Sequence, residues 1–491
     1  MDRTRIRWAR TALLAAAVVT GSTPGPLPAA GDEELAALVS RVGRTRWTAN
    51  NDIELLADPR RAWEARLDLI EGAEHHVFIS TFSWKGDDYG SRMREVLAGR
   101  MRDRAAAGEP LIVHCLADAT AMGLFTRGFD GLRGLGAEVR SYNRQSWGMA
   151  PVYDGRMHDK ITIADGRRAI VGGRNYSNIY FDPQRWWLDF GVLIEGAAVW
   201  DLQMIFLKSW AVTTDMTRLR HIVWPLEAIR RRIRSLWSTG RFPDGRSPLS
   251  PFLDERYFPA LDGAPGNVKV AVLYDNSLVW DRAPTADLLV ALVDRAEAEI
   301  DLMTPFPNFP AELTRALQEA VDRGVRVRLV VNHRDAAIRG GWILLSAYPT
   351  LIELVEAGVE VWAWKANPKL LEEVAAVRCA PSIMPPIALH GKMIRVDESL
   401  TIVHSSNFNI RSTFYNTEAG LAVLDRGFNA RMKSLIDGLL TLSNFDLQCT
   451  NGDRQVVVDR LVTRLGADDV EIMRDDLGKS QTFLDGMSLL W

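Results

Sequence analysis

The stretch Met157-His-Asp-Lys-Ile-Thr-Ile-Ala-Asp165 is followed six residues later by Gly172-Gly-Arg-Asn175. His158 and Lys160 stand two apart, and residues two apart in a strand share a face. The spacing therefore predicts an imidazole and an ammonium projecting together, with Ile161 and Ile163 packing behind them. Asp165-Gly166 reads as a turn and Ala169-Ile170-Val171 as the returning strand. Gly172-Gly173 lets the backbone come close to whatever the His and Lys face, and Asn175 adds a polar contact. A base or nucleophile, a fixed cation and an open backbone suit phosphate chemistry. Taken alone, the stretch is equally an ordinary hairpin with a polar edge.

The pattern recurs. His390-Gly-Lys-Met-Ile-Arg-Val-Asp397 is followed, again after six residues, by His404-Ser-Ser-Asn407. His390, Lys392, Asp397 and Asn407 keep the mutual offsets of His158, Lys160, Asp165 and Asn175. One such HxKxxxxD arises by chance in roughly one chain of this kind in a hundred. Two with the same downstream Asn are not accidental.

Each copy also closes the same succession of elements. Strand patterns at Ile53 to Leu56, Val77 to Phe82, Leu111 to Leu116 and Glu138 to Tyr142 alternate with helical ones. Those helical patterns cover Ala62 to Glu71, Ser91 to Ala107 and Phe125 to Leu135. After about 215 residues the order returns, with strands from Val268, Ile300, Val325 and Val359. Helices from Ala286, Ala311 and Leu351 lie between them. Alternation of this kind predicts an α/β fold with a largely parallel, buried sheet.

A chain of 491 residues is too long for one core. With 47% hydrophobic and 25% charged residues it has a globular composition. A net charge of -3 provides no overall basic field for nucleic acid. Only nine of the 59 basic residues are lysine, so Lys160 and Lys392 are not default choices. A compact ammonium binds phosphate as a point charge. Cys115, Cys379 and Cys449 form no metal-type spacing, and Cys115 reads as core. No HExxH or comparable pattern occurs, so neither metal nor other cofactor is expected.

Arg3, Arg5, Arg7 and Arg10 precede the apolar stretch Ala12 to Val19 and a run of small residues to Ala30. This reads as a secretory signal peptide over 1–30 and predicts an exported, periplasmic or secreted protein. An uncleaved anchor is the alternative.

The paired motifs resemble those of the phospholipase D superfamily, over about residues 50–425. The likeness is to its bacterial cardiolipin synthase-like branch. Gly172-Gly-Arg-Asn-Tyr-Ser-Asn-Ile-Tyr-Phe181 resembles that branch's GGxN segment, and Asn407 to Glu418 its NxDxRSxxxNxE segment. The resemblance implies two tandem α/β domains related by a pseudo-two-fold axis, with a shared active site at their interface. The expected layout is domain 1 over 50–215, a basic helix and linker over 216–266, domain 2 over 267–450 and an extension over 451–491.

Family membership further implies metal-free phosphodiester cleavage or phosphatidyl transfer through a phosphohistidine. One imidazole attacks phosphorus and the other moves the proton. By resemblance His158 is the better candidate for nucleophile. Lys160, Lys392, Asn175 and Asn407 would stabilise the phosphoryl oxygens. A downstream acid would orient each ring: Asp189 for His158 and Glu418 for His390. Asp165 and Asp397 belong to the motifs, with a structural role favoured for both. His404 stands where the family usually has Gly, Ser405 keeps a hydroxyl position beside it, and Asn409 stands where the branch often has Asp.

Pro225 to Trp237 predicts an amphipathic helix, with Leu226, Ile229, Ile233 and Leu236 as its stripe and four arginines beside it. It is a candidate for peripheral membrane contact, against the alternative of an interdomain helix with a solvated basic face. Gly240 to Gly266 reads as linker. The expected partner is a phospholipid substrate, with no nucleic acid and a monomeric chain. The rival functions are an exported nuclease of the same superfamily and a catalytically weakened lipid-binding paralogue.

Overall fold

The computed structural model describes residues 30–118, 126–142, 155–218, 226–261, 266–334, 336, 341–365, 384–441, 449–451, 454–456 and 461–487. Its first strands are β1 (Trp47–Leu56), β2 (His76–Thr81), β3 (Ile112–Asp118) and β4 (Glu138–Tyr142). Next come β5 (Ile161–Ala164), β6 (Arg168–Gly172), β7 (Trp187–Leu188) and β8 (Gly191–Gly196). The second series opens with β9 (Val268–Asn276), β10 (Glu299–Met303), β11 (Arg326–Asn332) and β12 (Glu360–Trp364). It continues with β13 (Ala388–Leu389), β14 (Met393–Val396), β15 (Leu400–His404) and β16 (Thr417–Leu424). Three short strands follow: β17 (Cys449–Asn451), β18 (Arg454–Val456) and β19 (Val462–Arg464).

Fifteen strands make one sheet, in the order β19-β12-β11-β10-β14-β15-β16-β9-β1-β8-β6-β5-β2-β3-β4. Apart from β19, the order reads the same outward in both directions from the β9–β1 junction. The fold is a mixed α/β one. Only β2–β3, β3–β4, β10–β11 and β11–β12 run parallel within this sheet, which corrects the expectation of a largely parallel one. The reason is local. Each motif strand returns on itself through a tight turn, as β5–β6 and β14–β15, and a hairpin is antiparallel by construction.

Strands β5 and β14 are buried along their whole length, as expected of a sheet covered on both faces. Ile161 and Ile163 enter the largest apolar cluster, while Thr162 on the other face bonds the Tyr176 hydroxyl at 2.7 Å. Of the helix expected over Phe125 to Leu135, Phe125 lies outside the described residues, and the described part is a 3-10 turn, Thr126–Phe129, and a short helix, Asp130–Gly134.

Two readings of the central segment are corrected by packing. In the helix Leu226–Thr239, Ile233 and Leu236 are buried and Ile229 is partly buried in the main core. The stripe therefore faces protein and is not a lipid-facing surface. Three of its four arginines are paired: Arg230 and Arg234 with Asp281, Arg232 with Asp244. A basic amphipathic pattern is the same whether its apolar side meets lipid or a core. The following segment is likewise more than linker, since Phe242, Leu249 and Tyr257 are core residues.

Candidate active site

Asp165 and Asp397 lie at the far ends of β5 and β14 from the His and Lys residues. Both hold positive φ, 54° and 49°, where a short polar side chain that bonds nearby backbone is tolerated. The Asp165 carboxylate accepts the N–H groups of Glu74, His75 and His76 at 2.7–2.9 Å. Asp397 does the same for Glu297, Ala298 and Glu299 at 2.8–3.3 Å. Each thus clamps the entry to a parallel strand, β2 or β10.

At the other end, short parallel contacts present the histidines. His390 follows β13, which pairs with β7, and its N–H donates to Leu188 O at 2.7 Å. His158 follows a bridge between Met157 and Thr417, and its N–H donates to Thr417 O at 3.0 Å. The residue after Leu188 is Asp189, and the residue after Thr417 is Glu418. That register decides the carboxylate partners.

The orienting acids are therefore crossed relative to the sequence expectation. His158 Nδ1 lies 2.8 Å from Glu418 Oε2, and His390 Nδ1 lies 2.6 Å from Asp189 Oδ2. Pairing by nearness in sequence fails because the partner strands come from the other end of the chain. Both carboxylates are fully buried. The neighbouring His and Lys charges hold Asp189 down, at about 2, and Glu418 well below the usual carboxylate range, both against the upward push of burial. An ionised acid on Nδ1 fixes that nitrogen as the N–H and leaves Nε2 for chemistry.

Burial also lowers both imidazoles, His390 to about 3 and His158 in the same direction, so both rings are neutral at pH 7. Lys392 is pushed down to about 7 and Lys160 to about 8, again chiefly by burial. Each lysine also depresses the histidine of the other motif. Lys160 and Lys392 both donate to the carbonyl of their own motif's histidine. Lys392 Nζ lies 2.6 Å from His390 Nδ1 and 3.8 Å from Asp189. One ring nitrogen cannot both donate and accept. With Asp189 ionised, the Nδ1–H goes to the carboxylate and Lys392 stands beside the pair as a cation.

The asparagines are placed differently from each other. Asn175 Oδ1 accepts from Ser83 N–H at 3.0 Å and its amide donates to the Tyr180 hydroxyl at 3.0 Å. The Asn407 backbone is held by Thr304 and Ser412, while its side-chain Oδ1 is buried with no partner. Gly173 and Ser405 occupy equivalent offsets but solve different problems. A Cβ at Gly173 would lie 2.1 Å from Asp189 Oδ1, so the carboxylate takes that space. Ser405 instead donates to Glu418 Oε2 at 2.6 Å.

His404 is wholly buried at the end of β15, its ring against Gly420 and its Nδ1 accepting Ser406 N–H at 3.1 Å. Gly420 is what makes room for it: a Cβ there would meet the ring at 2.2 Å. Burial lowers His404 to about 4.

Several contributors were not singled out from sequence. Ser412 and Asn416 donate to Glu418 Oε1 at 2.8 and 3.1 Å. Asp118 and Asn332, each ending the third strand of its series, accept the N–H of Met157 and Leu389 at 3.0 and 2.8 Å. Phe82 meets His158 edge-on and Trp187 stacks on His390, with centroids 5.2 and 5.4 Å apart. The matching positions of Asp118 and Asn332 in the two series were the available signal.

Residues 289–440 match the family described as cardiolipin synthase, PLD-like domain. The chain is 26% identical over 404 residues to cardiolipin synthase B of Escherichia coli O6:H1, covering 80% of this chain and 81% of that protein. It is 23% identical over 373 residues to cardiolipin synthase 1 of Bacillus anthracis, covering 74% of this chain but only 62% of that protein's length. The crystal structure of phosphatidylserine synthase from Haemophilus influenzae superposes with a TM-score of 0.60 at 15% identity, covering 93% of this chain and 99% of that one. At that identity the likeness is one of fold.

These relatives overturn the expectation of export, because cardiolipin synthases are typically cytoplasmic-side membrane enzymes. A basic start and a short apolar run give the outline of a signal peptide without being sufficient for one. Residues 1–29 lie outside the described residues, and no described helix is long and apolar enough to cross a membrane. The family match, the relatives and the paired motifs agree in one likeness: the chain is similar to the phospholipase D superfamily, on its cardiolipin synthase-like side.

Proposed function

We propose that this protein is a phosphatidyltransferase of the cardiolipin synthase kind, working through a phosphohistidine at one active site shared by two phospholipase D-like domains. The observation that carries the reading is the crossed pairing, His158 with Glu418 and His390 with Asp189. Neither histidine is oriented without the other half of the chain.

In this reading His158 Nε2 attacks the phosphorus of a phosphatidyl donor, and the departing alkoxide takes a proton from His390. The bound phosphodiester's negative charge raises both ring pKa values, so His390 carries that proton when substrate is present. An acceptor alcohol then gives its proton to His390 and attacks phosphorus as the Nε2–P bond breaks. Lys160 and Lys392 stabilise the charge on the phosphoryl oxygens. Asn175 and Asn407 would add amide contacts to those oxygens. Asp165 and Asp397 hold strands and take no part in the chemistry.

Incubation with phosphatidylglycerol, with and without added glycerol or ethanol, tests the reading by lipid analysis. Cardiolipin or a new phosphatidyl-alcohol is the expected product. Phosphatidic acid alone would make the protein a hydrolase, and cleavage of DNA with the lipid left intact would refute the proposal.

A further inference from the structure

Six large apolar side chains stand exposed among the described residues, and three of them fall within six consecutive positions. Ile410 is 41% exposed, Phe414 37% and Tyr415 39%. They lie on and just after the single-turn helix Ile410–Phe414, on the run that leads to Glu418. Leu135, Leu253 and Ile472, the other three, stand apart in sequence.

This helix is not a frayed end. Asn409 caps it, accepting Ser412 N–H at 2.9 Å, and Ile410 N–H donates to Asn308 O at 3.1 Å. Tyr415 O accepts the Ser277 hydroxyl at 2.6 Å. Its inner side, Ser412 and Thr413, is buried, and Ser412 donates to Glu418 Oε1. One turn of backbone therefore touches the acid that orients His158 and holds three large apolar groups outward. Exposure on a rigid, multiply bonded segment calls for an occupant.

We infer that Ile410, Phe414 and Tyr415 form a platform that seats on the surface of a phospholipid bilayer and brings lipid head groups to the His158–Glu418 pair. The inference rests on the phospholipid reading above. Three side chains on one helical turn fall far short of the ~800 Å² per partner of a stable protein dimer. They do suit shallow insertion, with the tyrosine's apolar ring and polar tip fitting the interface. The Phe414 ring also carries Arg282 at 5.5 Å from its centroid, although that guanidinium is bonded to Asp287 at 2.6 Å.

The test is an Ile410→Ser/Phe414→Ser double variant, with Ile410→Leu/Phe414→Leu as control. Three quantities are measured: flotation with phosphatidylglycerol vesicles, turnover of the vesicle lipid, and turnover of soluble bis(p-nitrophenyl) phosphate. Removing two apolar side chains that would insert into the bilayer should lower vesicle binding and vesicle turnover about tenfold or more, with the soluble rate unchanged. The leucine control should behave as wild type. Unchanged vesicle binding by the serine variant overturns the inference. So does an equal loss on soluble and vesicle substrates, which would mean that the helix acts only through Glu418. Conversion of a dimer to a monomer without change in vesicle binding would make the face a contact between copies, and also overturns it. If the wild type binds vesicles through these residues yet leaves phosphatidylglycerol intact, the platform stands and the proposed function falls.

Discussion

An ammonium taken out of water gives up its proton readily, and Lys392 and Lys160 are both in that position, at about 7 and about 8. As pH rises through that range the site loses its cations, so kcat/KM should fall on the alkaline side, approaching tenfold per pH unit. Stability should move the other way. The folded values lie below the ordinary 10.5, so between them the unfolded chain holds more protons and this contribution to stability grows with pH. Lys392→Met should remove part of the pH dependence of the thermal midpoint; an unchanged slope would argue against a depressed lysine. Gly173 offers a second check. Alanine there would push Asp189 off His390, and a displacement of that size costs about 10²-fold in kcat. Unaltered circular dichroism would show that the loss is local. The His/Lys pairs were legible because the same spacing of His, Lys, Asp and Asn stands twice in the chain. The crowding around Gly173 was not, because it depends on a carboxylate sixteen residues on, at Asp189.

The motif strands show how far pattern reading goes. Runs of apolar residues located β2, β3 and β4, and likewise β10, β11 and β12, to within two residues, since burial on two faces demands such runs, but β8 and β16 were not read at all. They did not give strand direction, which hairpin closure decides. Nor did they give the fate of the arginine-rich helix, whose Ile233 and Leu236 pack into the core. The aspartates of the motifs act at this scale, each receiving three backbone N–H groups. Asp165→Ala or Asp397→Ala leaves those donors short of partners and should each cost about 2 kcal/mol in urea unfolding. Their kcat should stay near wild type; a selective loss of kcat at full stability would assign them to the chemistry.

Across the whole molecule, the crossed pairs join residues 260 and 201 positions apart in sequence. Variants should therefore group by contact and not by motif. With a p-nitrophenyl leaving group, which needs no protonation, Asp189→Asn and His390→Ala should keep a stoichiometric burst. Glu418→Gln and His158→Ala should lose it. Stopped-flow absorbance reads the burst, and grouping of Asp189 with His158 would refute the crossed assignment. The sequence by itself determined the duplicated α/β order, the likeness to the superfamily and the His, Lys, Asp and Asn constellation. Each of these is written in local spacing that strand geometry and backbone hydrogen bonding make necessary. The partner of each histidine, the inward face of the basic helix and the exposed turn at Ile410 were decided only by tertiary structure. Those depend on which distant strands lie side by side, and a sheet's long-range register leaves no mark in the spacing of any one segment.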